Sequence, residues 1–192
     1  MPQSEEARPA ELRSCIDAVE SRIDDPHRGL PEEVFLFVTR LTPMVNVDLL
    51  IRDTSGRTLL TWRDDGYEYS PGWHIPGGII RYKESTAERI QAVARRELGS
   101  TARFAPQPLA IGEVMHPVRR NRGHFISLLF RCELEHEPDP RLRWDGGQPN
   151  GGQWAWHEGC PPDLIAVHDM YRAFFGKELP PFTLVQRQGD WL

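Results

Sequence analysis

The apolar positions along the chain follow two rhythms. From Pro9 to Asp24, Leu12, Cys15, Ile16, Val19 and Ile23 recur at helical spacing among charged residues, which predicts an amphipathic helix. Asp25-Pro26-His27-Arg28-Gly29 ends it, because proline and glycine break the pattern. Pro31, followed by Glu32 and Glu33, suits a second helix start and predicts a short helix to about Thr39. From Met44 the period shortens to two. Val45, Val47, Leu49 and Ile51 alternate with Asn46 and Asp48, and Thr54-Ser55-Gly56-Arg57 is a turn before Thr58 to Trp62, so a hairpin is expected.

After the Asp-Asp-Gly loop at 64–66 come Trp73-His74-Ile75, Pro76-Gly77-Gly78 and Ile79-Ile80-Arg81. Ser85 to Leu98 returns to helical spacing through Ala87, Ile90, Ala94 and Leu98, with Gly99 where a helix stop belongs. This predicts a buried helix on a sheet. Further strands are expected at Ala110 to Met115, Phe125 to Leu134 and Gln153 to Trp156, and a last helix from Asp163 to Phe175. Strands first, one central helix, more strands and a final helix give a mixed α/β sandwich rather than a regular βαβ alternation. Asp145 to Gln153 is a loop, since five of its nine residues are Gly or Pro.

Composition narrows the partners. With 192 residues, 39% hydrophobic and 27% charged, the chain has room for one globular domain with extensions, and it is neither fibrous nor wholly disordered. A net charge of -5 is the wrong sign for a surface whose main partner is nucleic acid. A small anionic substrate stays open, because a few placed arginines or a metal override a mildly acidic background. Apolar runs such as Val34 to Val38 fall far short of a membrane span, and the acidic Met-Pro-Gln-Ser-Glu-Glu start has no secretory pattern. A cytoplasmic protein without a membrane partner is expected. Cys15, Cys132 and Cys160 are scattered, without Cys-x-x-Cys spacing, which reads as three reduced thiols.

Gly72-Trp73-His74-Ile75-Pro76-Gly77-Gly78, then Glu84, then Arg95-Arg96-Glu97-Leu98-Gly99 resembles the signature of the Nudix hydrolase superfamily. That signature runs Gly, five residues, Glu, seven residues, Arg-Glu-aliphatic-any-Glu-Glu-any-Gly-aliphatic. It makes a strand, a glycine-rich loop and a helix whose carboxylates converge on one face. Magnesium prefers such hard oxygen ligands and also bridges phosphate oxygens. Counted from Gly78, Glu84, Glu97 and Gly99 fall on register. Ala92 stands for the Arg, Val93 and Arg96 for two of the Glu residues, and Ser100 for the last aliphatic. One helix carboxylate does not balance several dications, so a conventional multi-metal pyrophosphatase is disfavoured.

The GDP-mannose mannosyl hydrolase branch departs similarly, keeping only the last Glu of the helix. Thr42-Pro43-Met44-Val45-Asn46-Val47-Asp48 is similar to its first-strand entry, and Val167 to Phe175 to its C-terminal helix. The resemblance implies a Nudix-fold α/β/α sandwich with a mixed sheet, an N-terminal helical arm at 1–30, a Nudix domain at 31–178, a tail at 179–192, and a homodimer through the arm. It further implies one Mg2+ on the Gly77 carbonyl and Glu97, with Asp48 and Arg63 on the substrate. Glu97 and Glu84 are the candidate catalytic carboxylates, Glu84 pairing with an Arg in the signature or else capping the helix or joining the metal. The branch's Gln-His pair maps to Pro149-Asn150-Gly151, so its base is absent, and its second arginine is Ile79. Gln148, Asn150 and Gln153 stay candidate metal oxygens, and His116, His124, Glu113 and Asp145 candidate bases.

Arg119-Arg120-Asn121-Arg122-Gly123-His124 is a basic loop between two strands, either a solvated turn or a phosphate clamp, which makes Arg120 and His124 candidate substrate ligands. Trp62, Trp73, Trp154 and Trp156 are candidates for stacking on a base or sugar, with Trp73 and Trp156 read as core. Three functions stay open. The first is a hydrolase of a nucleoside diphosphate sugar, GDP-mannose-like, or a related diphosphate, with magnesium neutralising the leaving group. The second is an inactive domain binding a nucleotide-like ligand as sensor or scaffold, and the third a pyrophosphohydrolase with relocated ligands.

Overall fold

The computed structural model describes residues 7–64, 66 and 70–188, so the acidic start at 1–6 and part of the loop after Arg63 lie outside the described residues. The order is α1 (Ala7–Glu20), α2 (Glu32–Val38), β1 (Met44–Ile51), β2 (Thr58–Arg63), β3 (Gly72–His74), β4 (Gly77–Ile79), α3 (Thr86–Leu98), β5 (Ala102–Phe104), β6 (Ala110–Met115), β7 (His124–Leu134), β8 (Trp154–His157) and β9 (Thr183–Gln188). One sheet runs β4-β1-β7-β6-β9 with β5 also on β7, and a second runs β3-β2-β8. The first is mixed, since β1–β7 and β6–β9 are parallel and its other pairs antiparallel.

α3 forms where its spacing predicts, and its ends are chemically marked. Ser85 Oγ accepts from Glu88 N–H while the Glu88 carboxylate accepts from Ser85 N–H, a reciprocal cap, and Gly99 closes the helix at φ 66°. Ile90, Val93, Ala94 and Leu98 pack on Val47, Leu49 and Ile51 of β1. On the opposite side Leu50, Leu60, Trp62, Trp73 and Ile75 pack with Tyr171, Phe174 and Phe175. This is the expected α/β sandwich with a mixed sheet, except that the segment Ala166–Phe175 coils as a 3-10 helix, shorter and tighter than the helix expected from Asp163.

Four expectations need correction or completion. The β1–β2 hairpin does not form as one ladder. β1 is already paired on both edges, by β4 and β7, so the chain crosses into the second sheet with a single bridge between Arg52 and Thr58. Asp53 Oδ1 fixes that crossing by accepting from the N–H groups of Ser55 and Arg57. β9, inside the segment set apart as a tail, joins the sheet alongside β6. α1 ends at Glu20 rather than Asp24, and its apolar stripe is open, with Leu12 63% and Ile16 48% exposed. Trp62, Trp73 and Trp154 are all buried, and Trp156 packs against the core, so none of the four stands ready to stack on a ligand.

Candidate active site

Two adjacent glycines set the geometry. A Cβ on Gly77 would lie 2.4 Å from Asp48 Oδ1 and 2.8 Å from the Val47 carbonyl, and one on Gly78 would lie 2.9 Å from Val93 Cγ2. Only glycine lets β4 approach β1 and α3 this closely, at the register Asp48 opposite Gly77. The last turn of α3 then presents Glu97 to that strand, where its carboxylate accepts from the Gly77 N–H. Thr61 Oγ1 lies 3.4 Å from Glu97 Oε2, and His74 Nε2 lies 3.7 Å from it. The Arg96 and Arg63 guanidiniums act on the same group, yet burial dominates and pushes the Glu97 carboxyl up to about 7.

His74 is held by β2. Its Nδ1 sits 2.8 Å from the Thr61 carbonyl, an arrangement that assigns the proton to Nδ1 and leaves Nε2 toward Thr61 Oγ1 and Glu97. Behind it, His168 Nδ1 accepts from Ile75 N–H at 3.0 Å, and burial, with His74 and Arg63 nearby, holds this histidine well below its ordinary value. Asp48 is 3% exposed and accepts from Ser127 Oγ and, at 3.2 Å, from Asn46 Nδ2. Burial raises its carboxyl to about 6 against those hydrogen bonds and one from Tyr171. Asp48, Arg63, His74, Arg122 and His168 all line one small cavity of about 130 Å³.

Gly77, Gly78, Ile79 and Met44 also line a second, larger cavity of about 1180 Å³, which runs from Glu97 along α3 toward the N-terminal segment. Ile23, Leu30, Phe35, Val38 and Val93 make much of its wall apolar. Gly77 and Gly78 thus form a wall shared by the two cavities, with Glu97 on the large one and Asp48 and Arg63 on the small one.

Comparison with known proteins agrees with this architecture. A family model described as the NUDIX domain matches residues 42–168, well over half of the chain. The chain belongs to the NUDIX domain family. A curated relative, the low-salt glycan biosynthesis protein Agl8 of Haloferax volcanii, is 32% identical over 80 residues, covering 41% of this chain and 49% of that protein. The match thus spans about half of that relative's length. Among solved structures, a NUDIX hydrolase from Nitrosomonas europaea superposes with a TM-score of 0.58 at 18% identity, over 77% of this chain and 80% of that one. A possible asymmetric diadenosine tetraphosphate hydrolase from Jonesia denitrificans superposes with a TM-score of 0.55 at 22% identity, over 73% and 98%. At these identities the structural likeness speaks for the fold.

Within this NUDIX domain the candidates separate. Gly77, Glu97, Asp48 and Arg63 come together at the two cavities. Glu84 reaches the large cavity but is spoken for, because its Oε2 accepts from Arg89 Nε at 2.8 Å, Arg89 Nη2 at 2.6 Å and Arg81 N–H at 2.8 Å. Arg89 thus takes the partner role that the signature gives to position 92, three residues and one helical turn earlier on the same face. Arg120 and His124 line neither cavity; they belong to a separate pocket. Of the other base candidates, His116 lies in that separate pocket, Glu113 faces His124 at 3.8 Å, and Asp145 is exposed on its loop. Gln153 Oε1 is used inside the loop by Asn150 N–H, at 2.8 Å.

His74 and His168 were missed by sequence reasoning, while Arg122, part of the basic loop read as a turn or a phosphate clamp, lines the small cavity. His74 had a signal, its place immediately before Ile75-Pro76-Gly77-Gly78, whereas His168 was read only as part of the C-terminal helix segment Val167 to Phe175. No group of three or more His, Cys, Asp or Glu able to hold a metal occurs among the described residues. One partly buried carboxylate beside a glycine backbone still fits magnesium, which keeps several waters and takes phosphate oxygens alongside one or two carboxylates. It does not fit a cage for several ions.

Proposed function

We propose that this NUDIX domain hydrolyses a nucleoside diphosphate derivative, a nucleotide sugar of the GDP-mannose kind being its substrate class. The observation that carries the reading is Glu97, a partly buried carboxylate against the Gly77 backbone in the wall of the large cavity, with Gly77 itself shared by both cavities. Glu97 and the Gly77 carbonyl would hold one magnesium ion, which when bound neutralises charge on the diphosphate leaving group. Arg63 directs a guanidinium into the small cavity, where a phosphate oxygen accepts from it. The Asp48 carboxyl, buried and protonated more readily than usual, offers a hydrogen-bonding group to the part of the substrate that enters that chamber. His74 Nε2, oriented by the Thr61 carbonyl, is the group placed to receive a proton from an attacking water.

The curated relative's role in glycan biosynthesis supports a sugar-bearing substrate, and the Asp48, Arg63 and His74 side chains on the small cavity offer it hydrogen-bonding groups. Incubating the protein with magnesium and a panel of nucleotide sugars and dinucleoside polyphosphates, with products separated by chromatography, tests the reading. Nucleoside diphosphate plus free sugar marks cleavage at the sugar carbon. Nucleoside monophosphate plus sugar phosphate marks cleavage at phosphorus. Ligand binding without turnover across the panel refutes hydrolysis in favour of a binding domain.

A further inference from the structure

His168 is a buried titratable group that the proposed chemistry leaves unused, with only 7% of its surface exposed. The segment that carries it is tied to β3. Trp73 N–H donates to the Asp163 carbonyl at 2.9 Å, and Ile165 N–H donates to the Trp73 carbonyl at 2.9 Å. Two residues beyond Trp73, Ile75 N–H donates to His168 Nδ1 at 3.0 Å. A backbone N–H has no lone pair to offer, so Nδ1 carries no proton and the ring's one proton sits on Nε2. Burial, with His74 and Arg63 close by, keeps a second proton off the ring. Nε2 has no protein partner among the described residues and keeps accessible surface, and the ring lines the small cavity. His168 therefore gives that cavity a neutral N–H donor of fixed direction.

We propose that His168 Nε2–H donates to a sugar hydroxyl in the small cavity and so helps to select the sugar, an assignment that rests on the nucleotide-sugar reading above. At about 130 Å³ the cavity is well below the roughly 300–1,000 Å³ that holds a whole small ligand, so it takes one end of the substrate. The groups around it suit a hydroxyl. Asp48 also lines the cavity and accepts from Ser127 Oγ and Asn46 Nδ2, which leaves room on a carboxylate with about four acceptor sites for another donor. Tyr171, whose ring centroid lies 6.0 Å from that of His168, also interacts with Asp48, so the donor and the carboxylate are neighbours. A hydroxyl accepts from the one and donates to the other. A phosphate oxygen has no proton for Asp48 and is repelled by it. Phe125, Ile165 and Val167 add apolar wall for the C–H face of a sugar ring.

Long-range proton–nitrogen NMR of the histidine rings in the ligand-free protein, with the His168 signals assigned by their loss in His168→Gln, tests the donor itself. The Nε2–H pattern is expected, unchanged as the pH falls to the ordinary histidine value of about 6.5; an Nδ1–H pattern overturns the proposal. Calorimetric titration with GDP-mannose, UDP-glucose, GDP and UDP in magnesium buffer then compares wild type with His168→Asn and His168→Gln, each first shown by its melt to be folded. KM stands in for affinity where a ligand is turned over. The asparagine amide oxygen reaches the Nδ1 place and still accepts from Ile75 N–H, but nothing stands at Nε2; the glutamine amide nitrogen reaches the Nε2 place and restores the donor. His168→Asn is expected to weaken a nucleotide sugar at least about fivefold with its nucleoside diphosphate unchanged, and His168→Gln to keep most of the affinity. A histidine that only braces Ile75 gives the reverse ranking, and that result, or equal losses for sugar and diphosphate ligands, overturns the proposal. Wild type that binds none of the four ligands refutes the nucleotide-sugar reading and the sugar contact with it, whereas binding unmoved by both variants refutes the contact alone.

Discussion

Replacing Glu84 by Gln probes the part of the signature that the structure reassigns. Glu84 Oε2 accepts two bonds from Arg89 and one from Arg81 N–H, and the two side chains are 13% and 9% exposed. Glutamine keeps the shape and one acceptor but leaves the Arg89 guanidinium without a counter-charge in a mostly dry setting. Removing one member of a buried pair costs about 3–5 kcal/mol, and the slight exposure here argues for the lower end, about 3 kcal/mol. For a domain of this size 1 kcal/mol moves Tm by about 2–4 °C, so Glu84→Gln should melt roughly 6–12 °C below wild type. Arg89→Met should lose a similar amount. The double variant should lose about 2 kcal/mol less than the sum, since neither charge is then stranded. Urea and thermal unfolding followed by circular dichroism, at low and high salt, give all three values; salt should change them little, because the pair is screened from solvent. A Glu84→Gln protein melting within about 1 °C of wild type, or single losses that simply add, would refute the reasoning.

Other outcomes follow from the same contacts. Gly77→Ala puts a Cβ against the Asp48 carboxylate and 2.8 Å from the Val47 carbonyl, backbone that cannot yield, so β4 must shift; a loss of about 1–3 kcal/mol in urea unfolding is expected, with any activity falling further. Ser85→Ala removes the reciprocal cap of α3 and should cost about 1 kcal/mol by the same assay, without altering the products formed. His168 is buried neutral, well below its ordinary value of 6.5, so the unfolded chain binds the extra proton and stability falls as pH drops through that value. From pH 7.5 to 5.5 the loss approaches about 1.4 kcal/mol, and His168→Gln should remove that part of the slope; parallel pH profiles for the two proteins would refute it.

Local signals carried the elements that fold by their own pattern. α3 was legible because periodicity, the Ser85 cap and Gly99 all agreed, and β6 because Ala110 to Met115 alternates cleanly into the core. The hairpin misreading came from partners distant in sequence. β1 and β7 pair in parallel across about eighty positions, and nothing near Thr54-Ser55-Gly56 reveals that both edges of β1 are already taken. β9 was invisible for the same reason, a short half-polar strand whose partner β6 lies some seventy residues earlier. At the site, Gly77 and Glu97 were legible because they sit on one register. Arg89 was not, because its carboxylate partner lies before the helix begins, and the signature places the arginine one turn later. His74 and His168 meet only through tertiary packing, with ring centroids 6.2 Å apart.

Glu97 is the residue on which the proposed chemistry depends most. Turnover of a nucleotide-sugar panel with magnesium, compared between wild type and Glu97→Gln after both are shown to melt as folded proteins, tests it most directly. Wild-type turnover that requires magnesium and falls at least about a hundredfold in Glu97→Gln, the range expected when a group acting on transition-state charge is removed, is the predicted result. Equal turnover in the two proteins, or turnover indifferent to magnesium, would contradict it.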